Sequence, residues 1–183
     1  IRTDSLPAPL GHYYLYYAPH DSPGGICLAY ADDPAGPWTE YESNPIISRS
    51  WLPHYEVSHV SSPDALLVPG GVRVFFHGDN DTTRSAMSKD GIHFESTAIA
   101  VQASQLPDHW TCFYGRAFRL PAGKRDRYAL LFAAYGDGEP GIYAAFSPDG
   151  ENWELAPDII LPVPDIAGAS LPCAPFLLPF EIG

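Results

Sequence analysis

Three stretches of this chain repeat one another, and the repeat limits the possible folds more than any other feature. Residues 13–17, 72–76 and 128–132 are aromatic or β-branched runs bounded by turn residues, the pattern of strands. A polar loop follows each, then a second run at 26–30, 84–87 and 142–146. Each second run ends in a tight turn closed by an aromatic. These aromatics, Trp38, Phe94 and Trp153, are 56 and 59 residues apart. A fixed period of this length marks a repeat architecture.

A further run precedes each unit. Residues 63–71 align with 115–123, and 173–179 open another copy. The unit is therefore inner strand, second strand, loop, third strand, turn, aromatic, outer strand. Four antiparallel strands in about 50–60 residues make a propeller blade. The expected fold class is all-β. The blades are expected at 1–58 (lacking its start), 59–112 and 113–169, with a fourth opening at 170–183. No stretch carries sustained helical spacing of apolar residues free of Pro or Gly, and the 16 Gly and 20 Pro are spread evenly. The turn aromatics are expected to pack between neighbouring sheets. Asp90 and Asp149, each before a glycine, read as turn residues, since Gly takes positive φ without cost.

Charge removes other classes. With 10 Lys+Arg against 22 Asp+Glu, the formal net charge is −12. Phosphate recognition needs a basic patch, so no nucleic-acid partner is expected. Neither is an anionic membrane surface. No apolar run is long enough to span a bilayer. No basic region followed by an apolar one opens the chain, so no signal peptide is read, and localisation stays open. Cys27, Cys112 and Cys173 are too widely spaced for a metal cluster or disulfide framework, and are expected to be buried thiols.

The stretch 11–20, continuing through 26–31 to Gly36-Pro37-Trp38, resembles the five-bladed β-propeller glycoside hydrolases of the arabinanase and β-xylosidase type (family 43). Residues 59–64 followed by 74–78 are similar to uncharacterised bacterial members of that superfamily. The resemblance implies about three four-stranded blades of a five-bladed β-propeller, incomplete at both ends. Five such blades need roughly 285 residues, so the chain is expected to be a fragment, poorly stable and inactive alone. The implied partner is a carbohydrate, hydrolysed by carboxylate acid/base chemistry in a central funnel; a non-catalytic carbohydrate-binding or scaffold propeller is the alternative. The oligomeric state stays open. The resemblance implies no required cofactor and allows a structural calcium ion in the propeller axis. The −12 charge fits neutral sugars better than polyanions. A sialidase-like six-bladed propeller is a third reading: its turn motif is similar to residues 147–153, but the Gly is shifted and no arginine triad is seen.

Glycoside hydrolysis needs two carboxyl groups, one protonated and one ionised. In the family these lie at the starts of inner strands. Asp64 is the one carboxylate at such a start, after Ser61-Ser62-Pro63. The resemblance gives it the role of pKa modulator or transition-state stabiliser; the other reading is an Asp bonded to nearby backbone N–H groups. His59 is expected near the axis. His20 and Asp21 are expected at the funnel edge, with His77 in the matching place of the next blade. Arg116 aligns with Asp64 and is expected to pair with it, to bind a substrate carboxylate, or to hold an acid near its working pKa. Tyr114 and Trp110 are candidates for stacking on a sugar, or for core packing. The family's general acid is a Glu; the corresponding positions here carry Arg116 and Ala174. Its first-blade Asp falls before Ile1, or is Asp4 in a shifted register. Asp79-Asn80-Asp81 resembles half a calcium loop and reads as a polar loop.

Overall fold

The computed structural model describes residues 1–20, 24–121, 127–163 and 175. Asp21, Cys173, Ala174 and the expected fourth opening fall outside these, apart from Pro175. The first sheet has the order β1 (Tyr13–Tyr17), β2 (Cys27–Ala31), β3 (Thr39–Glu40), and Arg2 bridges Tyr13 on its inner side. A hairpin of β4 (Ser50–Trp51) and β5 (Tyr55–Glu56) leads into the second sheet. There β6 (Val60–Val68), β7 (Gly71–Gly78), β8 (Thr82–Ser88) and β9 (Phe94–Gln102) pair in chain order. After one 3-10 turn at Ala103–Gln105 comes the third sheet: β10 (Phe113–Arg119), β11 (Tyr128–Ala134), β12 (Gly141–Ser147) and β13 (Glu154–Leu155). A last strand, β14 (Leu161–Pro162), also pairs with β12. All these pairings are antiparallel. Among the described residues, no helix is long and apolar enough to cross a membrane.

Strand β7 shows why the sheets stack. Side chains alternate between the two faces of a strand. Val72, Val74 and Phe76 belong to a core shared with Tyr14, Leu28 and Ile47 of the first repeat. On the opposite face, Phe75 belongs to a second core with Leu130, Phe132 and Ala145 of the third sheet. A strand covered on both faces must be apolar on both, hence its continuous run. The alternate face also carries Arg73 and His77, both buried.

The turns clamp each sheet to the one before it. In the second sheet Ser88 Oγ accepts from Gly91 N (2.9 Å) and donates to Asp90 (2.9 Å). In the third, Ser147 Oγ accepts from Gly150 N (2.8 Å) and donates to Asp149 (3.0 Å). The first of these turns docks on β1: Tyr16 donates its hydroxyl to Gly91 O at 2.8 Å, and Phe94 meets the Tyr16 ring edge-on. The second docks on β7: Trp153 meets Phe75 edge-on at 5.7 Å, and Arg73 pairs with Glu151 at 2.6 Å. Two of the three turn aromatics thus pack between sheets as expected. Trp38 does not: it meets no aromatic ring among the described residues and is 36% exposed.

The outer strands of the first and third sheets are broken. Pro45 and Pro157 stand in them, and proline gives no N–H to a ladder. In the first sheet the Asn44 amide replaces the missing backbone, accepting from Leu28 N (2.8 Å) and donating to Leu28 O (2.9 Å). Backbone turns at Ala156 and Ile160 serve β12 in the same way. The β6–β7 turn imposes a tighter constraint. Gly71 has φ +145°, and a Cβ there would lie 2.0 Å from Ser88 O, so no side chain fits.

Two outcomes follow for stability. Trp153→Ala removes the main apolar contact of the third turn and should cost about 2–3 kcal/mol, less than a fully buried tryptophan; an unchanged denaturation midpoint would refute the docking role. Asp149 accepts from the backbone N–H groups of Asn152 and Glu151, both 2.8 Å away, and from the Asn152 side chain. These bonds, the Asn152 backbone first, hold its carboxyl below the usual carboxylate range. A depressed folded value stabilises above the unfolded value near 3.8 and is lost as pH falls below it. Asp149→Ala should therefore cost about 1–2 kcal/mol at pH 7, and the gap to the wild-type chain should narrow in melts below pH 4.

Candidate functional site

The inner strands of the second and third sheets share one irregularity at one place. In β6 the register slips between Ser61, opposite His77, and Asp64, opposite Phe75. In β10 it slips between Phe113, opposite Ala133, and Arg116, opposite Leu131. Each slip puts two residues opposite one, a β-bulge. Ser62 (φ +54°) and Tyr114 (φ +55°) take left-handed backbone within the bulges. Pro63 and Gly115 occupy the other positions, where a missing N–H or side chain is tolerated. Asp64 and Arg116 are therefore the first regular residues after equivalent bulges in neighbouring sheets.

The Asp64 carboxyl crosses to the next sheet. Its Oδ2 accepts from Ala117 N at 2.7 Å. Burial pushes its pKa above the ordinary carboxylate value, and the Ala117 bond and the Arg116 charge only partly offset this. The expected Asp64–Arg116 ion pair does not form. Arg116 Nη1 instead donates to Gly115 O (2.8 Å) and Ser62 O (3.4 Å), so both bulges hold the guanidinium. The Asp64 bond to backbone is the other reading of this residue, and it coexists with a carboxyl whose charged form burial disfavours.

His77 lies at the end of the β7 face that faces the third sheet, and is 4% exposed. Its ring meets Phe113 and Tyr114 edge-on at 5.6 and 5.5 Å, and His59 at 5.7 Å. Its Nδ1 is buried without a hydrogen-bond partner. Burial first, then the neighbouring His59 and Arg116, lower its pKa to about 4. His59 is half-buried and held. Its Nδ1 lies 3.0 Å from Ser58 Oγ and its Nε2 lies 3.2 Å from Asn80 Oδ1. Asp79 in turn accepts from Ser58 N (2.8 Å) and from the Ser58 hydroxyl. The Ser58 bonds hold Asp79 below the usual carboxylate range.

The structure thus brings together Asp64, His59, His77, Tyr114 and Arg116. His20 stays apart: it is exposed in the β1–β2 loop, and no hydrogen bond of this cluster reaches it. Asp4 is excluded from the site. Arg2 pairs with the first residue of β1, so Asp4 lies at the turn end of its sheet, away from the bulges, exposed and paired with Arg2 at 2.7 Å. Asp79-Asn80 forms the β7–β8 turn, both residues with positive φ. It orients Ser58 and His59, a role that the sequence reading missed. Trp110 is 59% exposed just before β10, not core, and so is available for stacking. Cys27 and Cys112 are buried free thiols as expected. Among the described residues no group of three His, Cys, Asp or Glu side chains could hold a metal ion.

No protein-family model matches the chain, and no curated protein does. Solved structures do. One is an endo-arabinase from Bacteroides thetaiotaomicron VPI-5482, with 18% identity over 85% of this chain and 60% of that one, at a TM-score of 0.59. Another is a thermostable family-43 glycoside hydrolase, with 17% identity over 88% of this chain and 55% of that one, at a TM-score of 0.65. The fold is that of the β-propeller glycoside hydrolases. This chain spans somewhat more than half the length of the two structures it matches.

At His77 a depressed folded pKa means stability present above the ordinary 6.5 and lost as pH falls towards about 4. His77→Gln, which cannot take up a proton, should flatten that part of the stability curve in denaturant titrations at stepped pH. An unchanged slope would mean that His77 is solvated in the folded chain.

Proposed function

We propose that the cluster at the two bulges is part of a sugar-binding funnel in which a glycosidic bond is hydrolysed by carboxylate acid/base chemistry. The observation that carries this reading is Asp64: a carboxyl at an inner-strand start, its pKa raised by burial, bonded to Ala117 N–H of the next inner strand and close to the guanidinium of Arg116. A carboxyl whose charged form is disfavoured by burial is suited to share a proton with a sugar oxygen and to tune a neighbouring acid. It modulates or stabilises; the ionised base is a separate group. Neutral His77 and the hydroxyl of Tyr114 add groups that suit sugar hydroxyls. Trp110 offers an exposed ring face for stacking, a common way to hold a pyranose or furanose.

A second reading is favoured by one observation. Arg116 stands where the family resemblance calls for the acid, and among the described residues no second carboxylate joins Asp64. A propeller that binds carbohydrate without cleaving it fits that arrangement.

One experiment separates the two. The complete protein is incubated with a panel of arabino- and xylo-oligosaccharides while reducing ends and binding heats are followed. Hydrolysis predicts released ends, with turnover falling by at least about 100-fold in Asp64→Asn. Binding alone predicts heats without release. Asp64→Asn keeps an oxygen for Ala117 N–H and removes a buried ionisable group, so its midpoint at pH 7 should equal or exceed that of the parent. Asp64→Ala orphans the N–H and should cost about 1–3 kcal/mol. Full activity in the folded Asn variant would take Asp64 out of the chemistry.

A further inference from the structure

The site carries more positive charge than Asp64 balances. Arg116 pairs with no carboxylate among the described residues; its recorded partners are two carbonyl oxygens, both on Nη1. A half-buried guanidinium gives up hydration, and carbonyls restore only part of it. Beside it, His77 keeps Nδ1 buried without a partner, although the residue is 4% exposed. A buried donor or acceptor left unmade is costly, and native structures rarely keep one without a use. His59 faces the same ring. The one carboxyl nearby, Asp64, is turned to Ala117 N–H and burial disfavours its charged form. The next carboxylate, Asp79, is taken up by Ser58.

From this arrangement we infer that the bulged ends of β6 and β10, beside His77 of β7, bind an oxyanion, either the carboxylate of an acidic sugar or inorganic phosphate, with Arg116 as the charged contact and His77 as a neutral one. The inference rests on the carbohydrate reading above where the oxyanion belongs to a sugar. The guanidinium fork matches a carboxylate or phosphate edge with two N–H groups, whereas neutral hydroxyls match it less well. The overall charge of −12 does not oppose this. Exposed charges beyond roughly 8–10 Å are screened at physiological salt, while a half-buried contact is not. The acidic surface disfavours a polyanion and leaves room for a single acidic group.

The test is calorimetric titration of the full chain with glucuronate and galacturonate, with glucose and galactose, and separately with inorganic phosphate. The expected result is at least tenfold tighter binding of one anion than of the neutral sugars. Arg116→Gln should abolish that preference. Arg116→Lys, which keeps the charge but loses the fork, should retain part of it, and circular dichroism checks that both variants are folded. Tighter uronate supports an acidic sugar; phosphate binding without uronate binding supports a separate anion. Equal binding of glucose and glucuronate overturns the oxyanion site and leaves the sugar-funnel reading standing. Phosphate binding with no sugar bound supports the oxyanion site and counts against the sugar funnel. A preference that survives in folded Arg116→Gln, or no binding by any probe, overturns the inference.

Discussion

The face of β7 that carries Arg73, Phe75 and His77 is the contact on which the rest of the structure depends. Three alternate residues of one strand meet the third sheet at three levels. Arg73 takes the Glu151 carboxylate at the turn end. Phe75 meets Trp153 in the core between sheets. His77 meets Phe113 and Tyr114 at the bulged end. The same strand therefore anchors the docking turn and lines the candidate site. A shift of the third sheet that loosened the first two contacts would also move Arg116 relative to Asp64. The Ala117 N–H to Asp64 bond ties the inner strands at the other end, so the site is held by packing on one side and by a hydrogen bond on the other.

Much of the fold was legible because its cause is local. Strand runs, Asp-Gly turns and their closing aromatics recur in the sequence, and each fixes its own geometry. The Ser-x-Asp-Gly turns of the second and third sheets carry matching hydrogen bonds because the same three side-chain and backbone groups recur at the same spacing. Position along an inner strand was legible too, since Pro63 marks where regular pairing resumes before Asp64.

The site was less legible because its decisive features depend on a partner strand. A bulge is a mismatch between two strands, and neither Ser62 nor Tyr114 announces a left-handed backbone on its own. Pro63 and Gly115 are the signals that, read together as equivalent positions, point to it. The equivalence of His20 and His77 misled for a related reason. Both follow a second-strand run, but His77 still lies within β7 and is covered by the next sheet, whereas His20 lies beyond the end of β1 in a loop. Trp110 escaped a core assignment because it sits in the connection before β10, where no sheet covers it.

Asp64 and Arg116 show how one backbone device yields two chemistries. Each is the first regular residue after a bulge, so the backbone delivers both side chains to the same level of adjacent sheets. The carboxyl satisfies an N–H across the gap, while burial disfavours its charged form more than its neighbours favour it. The guanidinium cannot shed its charge under any accessible pH. It must find acceptors, and the carbonyls freed by the bulges, Ser62 O and Gly115 O, are the ones at hand. The irregularity that makes the strand a poorer ladder thus supplies the acceptors that hold a cation near Asp64 without an ion pair.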